Sequence, residues 1–167
     1  MREFIGVGGV ALTADEYGSE EYPCAVLLPG VTQIRKVWES AAKALAQAGR
    51  YVISLDLRGH GGSESPKDCN YSLDAFMGDL VAVLAQLESR PVVVGSNFGG
   101  WIGLAALGNT SAPIATGLVL TNPPPEFQSL NNKSIAKTVS ERASSEDFDQ
   151  ALFAGGFDFF FCKTKIN

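Results

Sequence analysis

The chain is expected to fold as an α/β domain with a mostly parallel sheet and helices on both faces. Two observations lead there. Short β-rich runs alternate with helical patterns along most of the sequence, giving a β-α-β-α-β-α-β order. Those runs are also apolar throughout their centres, which suits parallel strands covered on both sides rather than half-exposed ones.

The elements follow in order. VALTADEY, after a Gly-Gly turn, alternates in the manner of a half-exposed strand. CAVLLP (24–29), YVISLD (51–56), PVVVGS (91–96) and TGLVLTN (116–122) are the central strands. Between CAVLLP and YVISLD, Trp38, Ala41, Ala42, Leu45 and Ala48 recur at helical spacing, and Gly49 stands where a helix stops. Leu73, Phe76, Met77, Leu80, Val81, Leu84 and Leu87 mark a second helix, with Ser72 as its N-cap. A third should start near Phe98 and end about Gly108. After TNPPPEF the character changes: 126–150 is polar and reads as a lid-like helical segment, with SSEDFDQ as a capped start. The end is an aromatic tail with five phenylalanines between Phe153 and Phe161. One domain, 1–167, is expected, with a core over 1–125 and this appendage over 126–167.

At 167 residues and 46% hydrophobic composition the chain is long and apolar enough for one core. A formal charge of −5 with scattered lysines and arginines offers no basic face for a nucleic-acid backbone. No apolar run reaches the length of a membrane span, and the N-terminal stretch lacks the apolar segment of a secretory signal. A cytoplasmic protein is expected. Cys24, Cys69 and Cys162 are too few and too dispersed for a disulfide framework or a zinc site, and His60 is the sole histidine. No metal and no cofactor are implied. G-x-G-x-x-G and G-x-x-x-x-G-K-[ST] are both absent, which argues against a nucleotide fold.

Chemistry on an open parallel sheet gathers at the carboxyl ends of its strands. Those ends read LLPGVTQ, LDLRGHGGS, VVGSNFGG and LTNPPPE. Together, over roughly residues 3 to 125, they resemble the α/β-hydrolase family, above all in DLRGHGGS (56–63) and in the strand–GSNFGG–helix segment. The resemblance implies an incomplete α/β-hydrolase fold lacking the last strands. It also implies a nucleophile elbow, where a Ser attacks, a His takes its proton and an acid orients the His. The nucleophile position falls on Asn97. Phe98 and the Val31–Thr32 stretch would supply oxyanion donors, with Val31, Phe98, Gly99 and Trp101 around the pocket.

A delocalised carboxamide is no nucleophile, yet Asn tolerates the positive φ an elbow needs. Ser96 could substitute only from the other side of the turn. His60 fits a polar turn residue better than a base, and Asn122 stands where an acid would be sought. The expectation is therefore a degenerate family relative without serine-triad catalysis, serving as a small-molecule-binding or interaction protein. Its ligand would be small, apolar or acyl. The alternative is an active hydrolase of carboxylic esters or similar acyl compounds, using Ser96 or residues supplied by a partner chain. TGLVLTN would leave an apolar strand edge, to be covered by FDFFFCKTK of the same chain or by a second copy. A homodimer through that edge or the tail is the expected assembly.

Overall fold

The computed structural model of the protein describes residues 1–121 and the strand at 159–163. Seven strands, β1 (Arg2–Ile5), β2 (Ala11–Tyr17), β3 (Cys24–Leu28), β4 (Tyr51–Leu55), β5 (Val92–Ser96), β6 (Gly117–Thr121) and β7 (Phe159–Lys163), form one sheet in the order β1-β2-β4-β3-β5-β6-β7. The four central strands β4, β3, β5 and β6 run parallel. Both margins are antiparallel: β1 and β2 form a hairpin whose second strand pairs with β4, and β7 pairs with β6. The edge of β6 is paired with the chain's own tail strand, through Thr121↔Phe159 to Gly117↔Lys163. The lid-like segment expected at 126–150, Asn122 and the tail outside β7 lie beyond the described residues.

Alternate positions of the central strands serve opposite faces, as the pleat requires. Val26, Leu28, Ile53 and Val93 join Phe76, Leu80, Ile102 and Leu118 in the main core under α2 (Leu73–Ala85) and α3 (Phe98–Gly108). Ala25, Leu27 and Val52, with Val94 beside them, pack against Ala42, Trp38 and Leu45 under α1 (Glu39–Gln47). Burial on both sides is why these runs read as continuously apolar. Each fully buried Val, Leu or Ile contributes roughly 1.5–3 kcal/mol.

The helices end where the sequence supplies the means. Ser72 Oγ accepts from Ala75 N at 3.3 Å as the N-cap of α2. Past the end of α1, Gly49 adopts φ 76 and lets Arg50 N return to Leu45 O at 3.1 Å. The β1–β2 hairpin was not anticipated. REFI holds a single buried residue, Phe4, after two charged residues and before an exposed isoleucine, too weak a signal for a strand.

An ion pair buried beneath the hairpin ties its turn to β4 and α2. Arg58 Nε and Nη2 each donate to Asp79 at 2.6 Å, and the two residues are 1% and 4% exposed. Arg58 also donates to Asn70 O at 2.8 Å and to Val7 O at 3.3 Å, while Val7 N donates to Asp79 Oδ1 at 2.8 Å. The Asp79 hydrogen bonds raise the Arg58 pKa further above its ordinary value. A side chain at Gly6 would collide with the Asp79 carboxylate.

Leaving either charge alone in this position is expensive. Asp79→Asn or Arg58→Met should each lower the unfolding free energy by about 3–5 kcal/mol, read from urea denaturation. The combined Arg58→Met/Asp79→Leu variant should recover part of that loss, because no unpaired charge remains buried.

Candidate functional site

The turn from β5 into α3 is a single residue long. Asn97 has φ 48 and ψ −114, close to the first central position of a type II′ turn, a place dominated by Gly, Asn and Asp. The turn closes because its flanks have no side chains. A Cβ at Gly95 would strike the backbone of Gly99 and Gly100, and one at Gly99 would lie 2.5 Å from the carbonyl oxygens of Leu28 and Pro29. Asn97 N donates to Thr121 O at 3.0 Å, and Trp101 N to Asn97 O at 3.2 Å, so the apex is fastened to β6 and to the first turn of α3.

The carboxamide of Asn97 turns onto its own backbone. Its Oδ1 accepts from Phe98 N at 2.8 Å. The Phe98 N–H, which the family resemblance would assign to an oxyanion, is therefore engaged by Asn97 itself. In the loop after β3, Gly30 N donates to Gln33 Oε1 at 2.8 Å, and a Cβ on Gly30 would lie 3.3 Å from Asn97 Cβ. The loop after β3 and the elbow are thus in contact, with Thr32 at φ 64 beside them.

The other residues singled out from sequence are distributed as follows. Val31 is 53% exposed in the loop after β3. Phe98 is half-buried and packs edge-on against Phe76, with centroids 5.1 Å apart, which is helix–helix packing more than pocket lining. Trp101, half-buried, lies in the first turn of α3, and Gly99 is buried beneath the β3 carbonyls. Ser96 ends β5 two residues beyond Val94, so the pleat puts it on the α1 face. His60 Nδ1 donates to Arg58 O at 2.9 Å in the turn after β4, and β3 lies between β4 and β5.

Sequence reasoning missed what the DLRGHGGS motif does. Asp56 accepts from Arg35 N at 2.6 Å and Gly62 N at 2.7 Å, and pairs with the Arg35 guanidinium through Nη1. Ser63 Oγ donates to Asp56 O and accepts from Thr13 N, at 2.8 and 2.9 Å. Arg35 Nε reaches Asp15 at 3.1 Å, and Lys36 Nζ reaches it at 2.6 Å. The motif is a clamp joining β2, β4 and the segment that follows the β3 loop. Its only sequence trace was an acidic strand end followed by glycines.

Cys24 and Cys69 are free thiols, the first buried and the second exposed. Burial pushes the Cys24 thiol up to about 11, which keeps it protonated and unreactive. No cluster of three or more potential metal ligands exists among the described residues. No helix among them is long and apolar enough to cross a membrane. A cavity of about 240 Å³ lies elsewhere, between the Val7–Val10 turn and the Glu64–Asn70 loop, and contains none of the elbow residues.

A parallel-centred sheet with helices on both faces and a one-residue strand-to-helix elbow defines the class of protein. The model for the alpha/beta hydrolase fold matches residues 26–158, and the chain belongs to that family. Among curated relatives it is 33% identical over 97 residues to epoxide hydrolase A of Mycobacterium tuberculosis, covering 57% of this chain and 30% of that protein. It is 38% identical over 85 residues to an sn-1-specific diacylglycerol lipase of Mus musculus, covering 50% of this chain and 27% of that one. An esterase from Exiguobacterium antarcticum superposes with a TM-score of 0.67 at 25% identity, over 72% of this chain and 44% of its own. The chain spans under a third of the length of these two curated relatives.

Two outcomes follow from this geometry. Asn97→Gly and Asn97→Ala both remove the cap on Phe98 N, but only Ala keeps a Cβ at positive φ. The Ala variant should be less stable than the Gly variant by about 1–3 kcal/mol in chemical denaturation. The second concerns acid. Burial acts to raise the Asp15 carboxyl, but hydrogen bonds from Lys36 and Arg35 outweigh it and hold the folded-state pKa below the ordinary 3.8. A depressed folded pKa gives stability that is present above that ordinary value and lost as pH falls through the folded one. Asp15→Asn should therefore flatten the acid branch of the stability curve below about pH 4, and leave its shape above pH 5 unchanged.

Proposed function

We propose that this chain is an α/β-hydrolase relative that does not carry out serine-triad hydrolysis, and that its crevice receives a small apolar or acyl ligand. The observation that carries this reading is the 2.8 Å bond from Phe98 N to Asn97 Oδ1. One carboxamide fills the nucleophile position with a group that cannot attack, and it occupies the N–H that would hold an oxyanion. His60 supports the same view, since its Nδ1 is committed to the Arg58 carbonyl in a turn beyond β3. Val31 and Ile34 supply exposed apolar surface in the loop after β3. The free thiols fit a reducing, cytoplasmic setting.

The competing reading is an ester hydrolase working through Ser96 or through residues from a partner chain. Relatives named as an epoxide hydrolase, a diacylglycerol lipase and an esterase favour it. Against it stands the position of Ser96 on the α1 face.

The deciding experiment is hydrolysis of a short-chain aryl ester by freshly purified protein beside Ser96→Ala and Asn97→Ala. All three should match buffer. Even an intact oxyanion hole without its triad leaves only about 10³–10⁴-fold over water, and here one donor is engaged. Turnover by the wild-type protein that disappears in Ser96→Ala would overturn the proposal. A short-chain fatty acid should raise the melting temperature without being consumed, as expected of a ligand that binds only the folded state.

A further inference from the structure

The side chain of Asn97 is held against the peptide nitrogen that follows it. Oδ1 lies 2.8 Å from Phe98 N, so Cγ, one C=O bond of about 1.2 Å away, is brought close to the same nitrogen. The backbone cooperates. At ψ −114 the Phe98 nitrogen is swung away from its position in a helix, near −42°, or a strand, near +135°. That rotation turns it back toward the Asn97 side chain. Neither of the other asparagines among the described residues is arranged this way. Asn109 has ψ −1, and Asn70 Oδ1 reaches past its neighbour to Ser72 N at 3.1 Å.

We propose that Asn97 is a site of intramolecular deamidation, converting itself to aspartate at the elbow apex. Phe98 N loses its proton to solvent base and bonds to Cγ. The tetrahedral carbon then expels the side-chain nitrogen with its bonding electron pair, and that nitrogen takes up a proton to leave as ammonia. Water next adds to the cyclic imide, the bond from the imide nitrogen to the attacked carbonyl breaks, and the nitrogen regains a proton. Water is the only co-reactant.

The fold also selects the product. Attack at Cγ restores the original main chain and yields aspartate. Attack at the main-chain carbonyl of residue 97 would insert an extra backbone carbon and disrupt the bond from Trp101 N to Asn97 O. The new carboxylate stands at the N-terminus of α3, an eleven-residue helix with no acidic residue in its first turn, where negative charge is favoured. The modification does not depend on the functional reading above, because a mass measurement reports it whether or not the protein turns over an ester.

The test is to incubate the full chain in heavy-oxygen water, at mildly acidic and mildly alkaline pH, folded and in urea. Proteolytic peptides are then mapped by mass spectrometry, with Asn97→Asp as the standard for the product. The peptide holding residue 97 should gain acid and heavy oxygen ahead of those holding Asn70 and Asn109, and faster at alkaline pH. It should do so about tenfold faster folded than unfolded, the scale expected when one backbone conformation is already fixed. Asn97→Gln, whose longer side chain cannot close the five-membered ring, should lose the effect. Conversion at 97 that is no faster than at Asn109, or no slower in urea, overturns the proposal.

Discussion

The carboxyl edge of this sheet is governed by how closely α3 must approach β5 and β3. Gly95 and Gly99 leave no space for a Cβ, and one at Gly103 would meet Leu118 at 2.9 Å and Val93 at 3.3 Å. A helix seated this near its own strand has to reverse direction within one residue. That residue then takes a positive φ, here 48 at Asn97. The loop after β3 meets the elbow under the same constraint, since a Cβ at position 30 would lie 2.9 Å from Gln33 Oε1 and 3.3 Å from Asn97 Cβ. Backbone contact replaces side-chain packing at this point, and that makes the edge intolerant of added volume.

Much of this was legible in the sequence. Continuous apolar runs fixed the central strands because both faces are covered, and the third helix runs from Phe98 to Gly108 because the glycines beside Asn97 announce the turn. What stayed hidden lacks a local signature. Strand order, the β1–β2 hairpin and the antiparallel β7 depend on contacts between segments far apart in the chain. Arg58 and Asp79 each resemble ordinary surface charges until the fold brings them together 21 positions apart. The clamp of Asp56, Arg35 and Asp15 is equally non-local, and so the glycine-rich motif gave no sign of the fastening it forms. At the site itself, the tolerance of Asn for positive φ could be reasoned from residue type. Its engagement of Phe98 N could not, since that depends on a side-chain rotamer.

The elbow separates two demands that a catalytic residue must satisfy together. Its backbone has to accept a sparsely populated conformation, a strain of order 1–3 kcal/mol. Its side chain, in a working enzyme, also has to remain unsatisfied and facing substrate. Asn97 meets the first demand better than serine, being one of the few non-glycine residues common at positive φ. It reverses the second, since Oδ1 satisfies a helix N-terminal N–H that would otherwise lack a protein partner in the turn. Satisfying such a group favours stability, and activity elsewhere commonly requires leaving it strained or open. The carboxamide therefore has a physical reason to occupy this position that is independent of any reaction. The same contact that satisfies Phe98 N holds Cγ beside it, so the feature that makes Asn97 a good fold residue is also what exposes it to chemical change.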